Sequence, residues 1–470
     1  MRAILVLFMT KALLFDKAFA SNLYGSYTGL VYLTPLLGGY VADRYWGNKR
    51  SILAGGLLMA LGEFILFFCG ATYDTQADLS AFLFFAGLGF MIAGNGFFKA
   101  NIASLVGQLY PKGDKRIDPA YTIFYMGINV GGAIGPIICG LVGDTGNPVD
   151  FKWAFLAGGI AMLVGVATLA FFHNKYLKDP NGEVIGLTPA GAPKAILQPL
   201  AMVVGLLAFA GLTIGLIYVD AKVYSYLFFL LMACIVLIAF LVFSDKGLLK
   251  VEKQKIAVIF VVSFFVIFFW SAFEQAGASL TFFAEEQTER NLGWFTIPTS
   301  FFQSLNSIFV VTLAPVFAWL WIKLGKREPS SPTKMALGLF FLALGYAWIA
   351  LGVKDVAPGI KVSVIWLTGM YFMQTCGELC LSPIGLSLVN KLAPLKFASL
   401  LMAVWYTANA FANKLAGVLS ALYPDGKTTY ILGLPLNNLN DFFLVFVVMA
   451  GVAAGLLYVI SSRLQKLMND

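Results

Sequence analysis

Charge is what this chain has least of. Only 12% of its 470 residues are charged, against about a quarter in soluble globular proteins. At the same time 59% are apolar. A soluble enzyme and a disordered chain are both excluded, because neither can be built from so little charge and so much apolar surface. Histidine is nearly absent. His173, at the end of an apolar run, reads as a solvated interfacial residue rather than a proton relay. Cysteine is sparse, and Cys69, Cys139, Cys234, Cys376 and Cys380 all lie inside apolar runs. They read as small buried hydrophobes, which excludes a secreted disulfide scaffold. Cys376 and Cys380 share a helix face, but no third and fourth ligand stands nearby, so no metal site is expected. There is no His-rich cluster, no nucleophile–base pair and no phosphate loop, so no catalytic site and no bound cofactor are expected. GLGFMIAGNG (87–96) spaces its glycines suggestively, but it lies within an apolar run rather than after a strand, and reads as helix packing. No cleavable signal peptide is evident, since the first run carries Arg2 and continues into Lys11 without a small-residue cleavage pattern.

What the chain does have is long apolar runs. They fall near 1–14, 21–43, 51–70, 79–108, 119–142, 152–172, 196–218, 223–243, 256–283, 294–322, 335–352, 360–389, 397–422 and 440–462. Most are long enough for a bilayer-spanning helix, which takes about 20 residues. The expected fold is therefore an all-α membrane protein of fourteen helices. Its net charge of +8 does not indicate nucleic acid. About two thirds of the 32 basic residues fall in alternate connectors. These hold Arg44, Lys49 and Arg50; Lys112, Lys115 and Arg116; Lys175, Lys178 and Lys194; Lys246 to Lys255; Lys323 to Lys334; Lys391 and Lys396; and Arg463 and Lys466. The opposite connectors hold fewer, among them Lys17, Lys152, Lys222 and Lys427. By the positive-inside rule the richer set, and with it the C-terminus, is cytoplasmic. The long connector 173–195 divides the chain into a six-helix bundle at 1–173, a connector with two extra helices at 174–250, and a second bundle at 251–470. The sparse charges of the two extra helices give no hint of a site.

An ionisable group at bilayer depth is costly and is a functional candidate by default. Arg2, Glu63, Lys99, Glu274, Glu378 and Lys414 stand inside the runs. Arg2 and Lys99 come from the first half, Glu274 and Glu378 from the second. Halves facing each other would make a cavity positive on one wall and negative on the other, suited to a zwitterion. Helical spacing adds Trp270 one turn before Glu274, Ser382 one turn after Glu378, and the pairs Tyr125/Asn129 and Gln303/Asn306. For Glu63 and Lys414, which could reach toward a helix end, a role in holding helices together is favoured. Gly131 and Gly135, at GxxxG spacing, are expected to admit close helix packing. Pro35, Pro136, Pro199, Pro315 and Pro383 suggest kinks.

GGYVADRYWGNKRS (38–51) resembles the signature loop between helices 2 and 3 of major facilitator transporters. There Asp43, Arg44 and the following cations would brace the helix ends. Three further stretches are more specific: GNGFFKANIASLVGQLY (94–110) with YTIFYMGINVGGAIGPIICG (121–140), FFWSAFEQAGASL (268–280) and GELCLSPIGLSLVNKLAP (377–394). Together they resemble the proton-dependent oligopeptide transporter family, over essentially the whole chain. The resemblance implies two six-helix bundles with two extra helices between them. It also implies import of di- and tripeptides driven by protons, in a bacterial inner membrane, by a protein acting as a monomer. Arg2 and Lys99, with Tyr32, Tyr125 and Asn129, would take the peptide carboxylate. Glu378, with Asn306 and Ser382, would take the free amine, and Trp270 and Trp405 would shape side-chain pockets. Glu274 would be a protonatable carboxylate facing Arg2, and Lys99 with Glu378 a matching inner pair.

There are two departures. Ala100 stands where the family has proline, which changes only a local bend. The family's two glutamates and arginine (ExxER) precede the residues matching MRAILVLF, and this chain begins at Met1. A start codon placed too late, or a shortened chain, is expected. Without those carboxylates Lys99 would shed its proton more easily and proton coupling would suffer. Two other readings stay open on charge pattern alone. One is a facilitator for another solute, such as nitrate, a drug or an amino acid. The other is a membrane receptor that binds peptides without moving them.

Overall fold

The computed structural model describes residues 2–469 apart from 112–113, 115, 190, 194–195, 197, 224–225, 357–358 and 427. The connector cations Lys112, Lys115, Lys194 and Lys427 therefore lie outside the described residues. Helices follow one another in the order α1 (Arg2–Leu7), α2 (Lys17–Leu33), α3 (Pro35–Val41), α4 (Gly47–Thr72), α5 (Ala77–Gln108), α6 (Ile117–Gly143), α7 (Phe151–Tyr176), α8 (Pro199–Val223), α9 (Tyr226–Phe243), α10 (Lys250–Phe273), α11 (Ser279–Glu286), α12 (Phe302–Leu324), α13 (Ser331–Val353), α14 (Val364–Leu392), α15 (Ala398–Ser420) and α16 (Leu439–Asn469). Each of the fourteen apolar segments coincides with a helix or a run of consecutive helices. Wide π-type turns extend α1 through Phe8–Ala12 and join α3 to α4 through Ala42–Trp46. Two pairs of very short strands, 288–289 with 362–363 and 429–431 with 434–436, tie loops together.

Among the described residues ten stretches are long and apolar enough to cross a membrane. Their outward side chains are bare hydrocarbon: Phe171 is 81% exposed and Val459 77%. Such faces are stable only against lipid. Backbone polar groups have no water partner at that depth, which is why the spans are built almost wholly from helix.

The chain divides into two compact units, Met1–Leu14 with Ser26–Tyr224, and Phe15–Gly25 with Ser225–Asp470. Helix α2 thus begins within the second. In the first unit, α5 packs against α4, α3 and α8, and α7 against α4 and α6. Glycine makes this approach possible. A Cβ on Gly38 would lie 2.1 Å from the Gly96 carbonyl oxygen, and one on Gly55 2.5 Å from that of Gly94. In the second unit α13 packs on α14 and α16, and α10 on α15 and α16, with Gly338 and Gly377 in mutual backbone contact.

Several expectations change here. A Cβ on Gly131 or Gly135 would meet no described atom within 4 Å, so these glycines do not carry helix packing; that face of α6 is uncovered. Pro199 opens α8, a position where the missing N–H costs nothing, while Pro35 follows the break at Thr34 between α2 and α3, inside one continuous apolar stretch. Pro136, Pro315 and Pro383 do lie inside helices. The run expected from 294 becomes helical only at Thr299, where a 3-10 turn leads into α12, because Gly293 (φ 88°) and Pro298 shape a loop that leaves Trp294 84% exposed. Glu63 and Lys414 are both buried, at 4% and 0% exposure. A Cβ on Gly158 would sit 3.1 Å from the Glu63 carboxyl, so only glycine there leaves room for it.

Candidate functional site

The first unit holds Arg2, Tyr32, Lys99, Tyr125 and Asn129, and brings Lys99 and Tyr32 together. Arg2 opens α1, and Tyr32 stands in the last turn of α2. Lys99, in the C-terminal third of α5, places its ammonium 3.7 Å from the centroid of the Tyr32 ring. At bilayer depth such a cation–π contact gives the ammonium a partner without neutralising its charge. The local sequence positions it. Phe97, two residues before Lys99, stacks on Trp46 with ring centroids 5.1 Å apart, and Asn101 donates to the Gly38 carbonyl at 3.3 Å and the Phe97 carbonyl at 2.7 Å. On α6, Tyr125 and Asn129 share a stripe as expected, and the Asn129 amide donates to the Tyr125 backbone carbonyl at 3.0 Å. Asp43 and Arg44 occupy the exposed wide turn before α4.

The second unit gathers carboxylates around an interrupted helix. Helix α10 ends at Phe273, Glu274–Gly277 forms a tight 3-10 turn, and α11 resumes at Ser279 after Ala278 takes φ −135°, ψ −100°. Glu274 stands at the break, 1% exposed. The break frees backbone carbonyls, and side chains from several helices satisfy them. Tyr346 donates to the Ala272 carbonyl at 2.6 Å, Gln374 to that of Phe273 at 3.2 Å, and Thr281 to that of Ala276 at 2.9 Å. Gln275 donates to the Ala416 carbonyl of α15 at 2.9 Å and accepts from the Ser279 hydroxyl at 2.6 Å. A discontinuous helix at membrane depth persists only where such partners exist.

On α14, Glu378 is 9% exposed and accepts from the Asn306 amide at 2.9 Å. The same amide nitrogen contacts Thr375 Oγ1 at 3.1 Å. Ser382, one turn on, holds a buried hydroxyl oxygen with no hydrogen-bond partner among the described residues. The expected Asn306–Glu378 association is present. Gln303, one turn before Asn306 on α12, donates to Thr281 at 3.2 Å beside the helix break. Trp270 packs edge-on against Phe273 with centroids 4.9 Å apart. Trp405 is 5% exposed and lies where a Cβ on Gly385 would be, 2.2 Å from its ring.

Sequence reasoning missed Thr375, which stands one turn before Glu378 and so had a spacing signal. It also missed the ring of Gln275, Tyr346 and Gln374, which had none, because those side chains meet only in three dimensions. The sparse charges of the two extra helices give no hint of a site, and the structure shows Asp220 of α8 1% exposed and accepting a hydrogen bond from Ser26. At the start of α2, Lys17 bridges Glu286 at 2.6 Å and Asp425 at 2.8 Å.

These features define a class: an all-helical membrane protein whose ionisable groups are concentrated at broken or glycine-packed helices, as in transporters. Comparison with known proteins refines it. Residues 49–435 match the family model described as the POT family, and the chain belongs to that family. It is 33% identical over 493 residues to a peptide transporter of Yersinia enterocolitica, covering 100% of this chain and 91% of that one. It is 31% identical over 499 residues to a di-/tripeptide transporter of Lactococcus lactis subsp. cremoris, covering 100% and 93%. The crystal structure of a peptide transporter of the family in complex with alafosfalin is similar with a TM-score of 0.82 and 29% identity, over 100% of this chain and 92% of that one. The fold is thus the major facilitator fold of these transporters.

Proposed function

We propose that the protein is a proton-coupled symporter that imports di- and tripeptides by alternating access. The observation that carries this reading is one intramembrane cation and one intramembrane carboxylate, each held by a partner in a different unit. One unit offers the Lys99 ammonium on the Tyr32 ring. The other offers the Glu378 carboxylate, oriented by Asn306 at 2.9 Å. A free peptide needs a cation for its carboxylate and an anion for its amine, and a hydrocarbon setting makes each contact strong. The relatives named as peptide and di-/tripeptide transporters support the same solute. A site lacking either charge would suit nitrate or an uncharged drug better than a zwitterion.

In this reading Arg2 and Lys99, with Tyr32, Tyr125 and Asn129, receive the peptide carboxylate. Glu378, with Asn306 and Ser382, receives the amine, and Trp270 and Trp405 limit side-chain size. Glu274 is the proton acceptor. Its place at a helix break suits it to that role, since gain or loss of one charge there changes what the interrupted helix can hold. Asp43 and Arg44 act in the conformational change. The protein works as a monomer in the bacterial inner membrane with its C-terminus in the cytoplasm, the side richer in lysine and arginine. Protons are the coupling ion, and no resident cofactor is required.

The test is uptake of labelled dialanine into proteoliposomes under an inward proton gradient. Wild-type protein should accumulate it, and excess unlabelled dipeptide should compete where nitrate does not. Glu274→Gln should lose gradient-driven accumulation while retaining counterflow. Unchanged accumulation in that variant removes Glu274 from coupling. Binding of dialanine without any flux in the wild type would favour a receptor instead.

A further inference from the structure

A groove of about 510 Å³ runs along the outside of the first unit between α4 and α8. Its walls include Leu57, Leu61, Met202, Val203 and Leu206, and Arg50 is the charged residue in its lining. Its floor is continuous with the buried cluster of Trp46, Leu58, Ala93, Phe97 and Ala210. From Arg50 to Leu61 the lining follows α4 for three turns, about 16 Å at the helical rise. That is about half of the ~30 Å hydrocarbon core, the depth of one leaflet.

The groove opens outward rather than into the helix bundle. Leu57 is 52% exposed, Leu61 44% and Val203 51%, so its rim faces the lipid phase. Arg50 lies in the first turn of α4, beside the cluster with Arg44 and Lys49 at the membrane boundary. Its neighbour Lys49 is engaged, donating to Asn174 at 2.7 Å. Arg50 is exposed and has no hydrogen bond to a described residue. A guanidinium presents a planar fork of donors matched to phosphate oxygens.

We infer that this groove binds one anionic phospholipid from the leaflet on the side of Arg50, with an acyl chain between α4 and α8 and the headgroup phosphate on Arg50. A basic group at the end of an apolar cleft between helices is suited to such a headgroup, because the chain supplies the length and the cation selects the charge. The occupant is lipid rather than free phosphate, since most of the lining is hydrocarbon that phosphate cannot use. The inference does not rest on which solute the protein carries.

Native mass spectrometry of the purified full chain, released from micelles with phosphatidylglycerol or phosphatidylcholine, tests it. Wild-type protein should retain phosphatidylglycerol in preference to phosphatidylcholine. Arg50→Gln should lower that retention about fivefold, and Arg50→Lys should restore most of it. Leu57→Trp and Val203→Trp, which fill the groove from its exposed rim, should lower retention with an unchanged unfolding midpoint. Equal retention of both lipids, or no change in any variant, overturns the inference. So does displacement of the lipid by millimolar inorganic phosphate, which would leave only a phosphate contact. A shift in oligomeric state on Leu57→Trp with lipid retention intact would assign the groove to a second copy of the chain, and would also overturn it.

Discussion

The two compact units solve the same problem by different means. Each must hold ionisable groups at a depth where water is absent. The first does so with close helix packing: Gly38 meets Gly96 and Gly55 meets Gly94 backbone to backbone, and Lys99 is held against an aromatic ring. The second interrupts a helix at Glu274–Gly277 and covers the loose backbone with hydrogen bonds from Tyr346, Gln374, Thr281 and Gln275. The contrast teaches that Lys99 depends on close glycine packing around its helix, and Glu274 on particular side chains that replace the bonds its broken helix lacks.

That comparison can be broken at its strongest point first. Gly38→Ala forces a methyl group to within 2.1 Å of the Gly96 carbonyl oxygen, and neither backbone can yield without parting α3 from α5. The variant should lose about 3 kcal/mol of stability, seen as a lowered unfolding midpoint in detergent. An unchanged midpoint would mean that the contact is not tight in the membrane. A smaller loss is expected at the interruption. Gln275→Leu removes the bond to the Ala416 carbonyl and the acceptor for Ser279, which should cost about 1–2 kcal/mol, since single hydrogen bonds between membrane helices are worth that or less. Tyr346→Phe, which deletes one bond only, should cost less than Gln275→Leu; the reverse order would put the burden of the interruption on α13 rather than α15. The smallest effect belongs to Lys17→Gln. Its bridges to Glu286 and Asp425 lie near water, so the loss should be about 0.5–1 kcal/mol. It should shrink as salt is raised; a loss indifferent to salt would mean that packing over Phe282 and Tyr423, not charge, holds Lys17.

Much of this was legible in the sequence, and the reason differs by feature. Helices such as α5 and α16 are visible because bilayer depth demands long apolar runs, and length is a property of one segment. Glu274, Glu378 and Lys99 stand out because a charge in such a run is costly wherever it points. The association of Asn306 with Glu378 followed from a family resemblance, not from spacing, because the two are on different helices. What stayed hidden depends on neighbours. Gly131 and Gly96 look alike in sequence, yet only Gly96 touches another backbone. The interruption at Glu274 sits in an apolar segment whose period alone predicts an unbroken helix. Its one local signal is the polar, glycine-containing stretch EQAGAS (274–279). Asp220 passed unnoticed because its partner, Ser26, is almost two hundred residues away in the chain.

The central claim is that the Glu378 carboxylate, held by Asn306, receives the amine of a transported peptide. Proton-driven uptake of labelled dialanine by reconstituted Glu378→Gln protein tests it most directly. The side chain stays nearly isosteric and can still bond Asn306, so folding should be preserved. Uptake should be abolished while the unfolding midpoint stays near that of the wild type. Wild-type uptake in this variant would contradict the account.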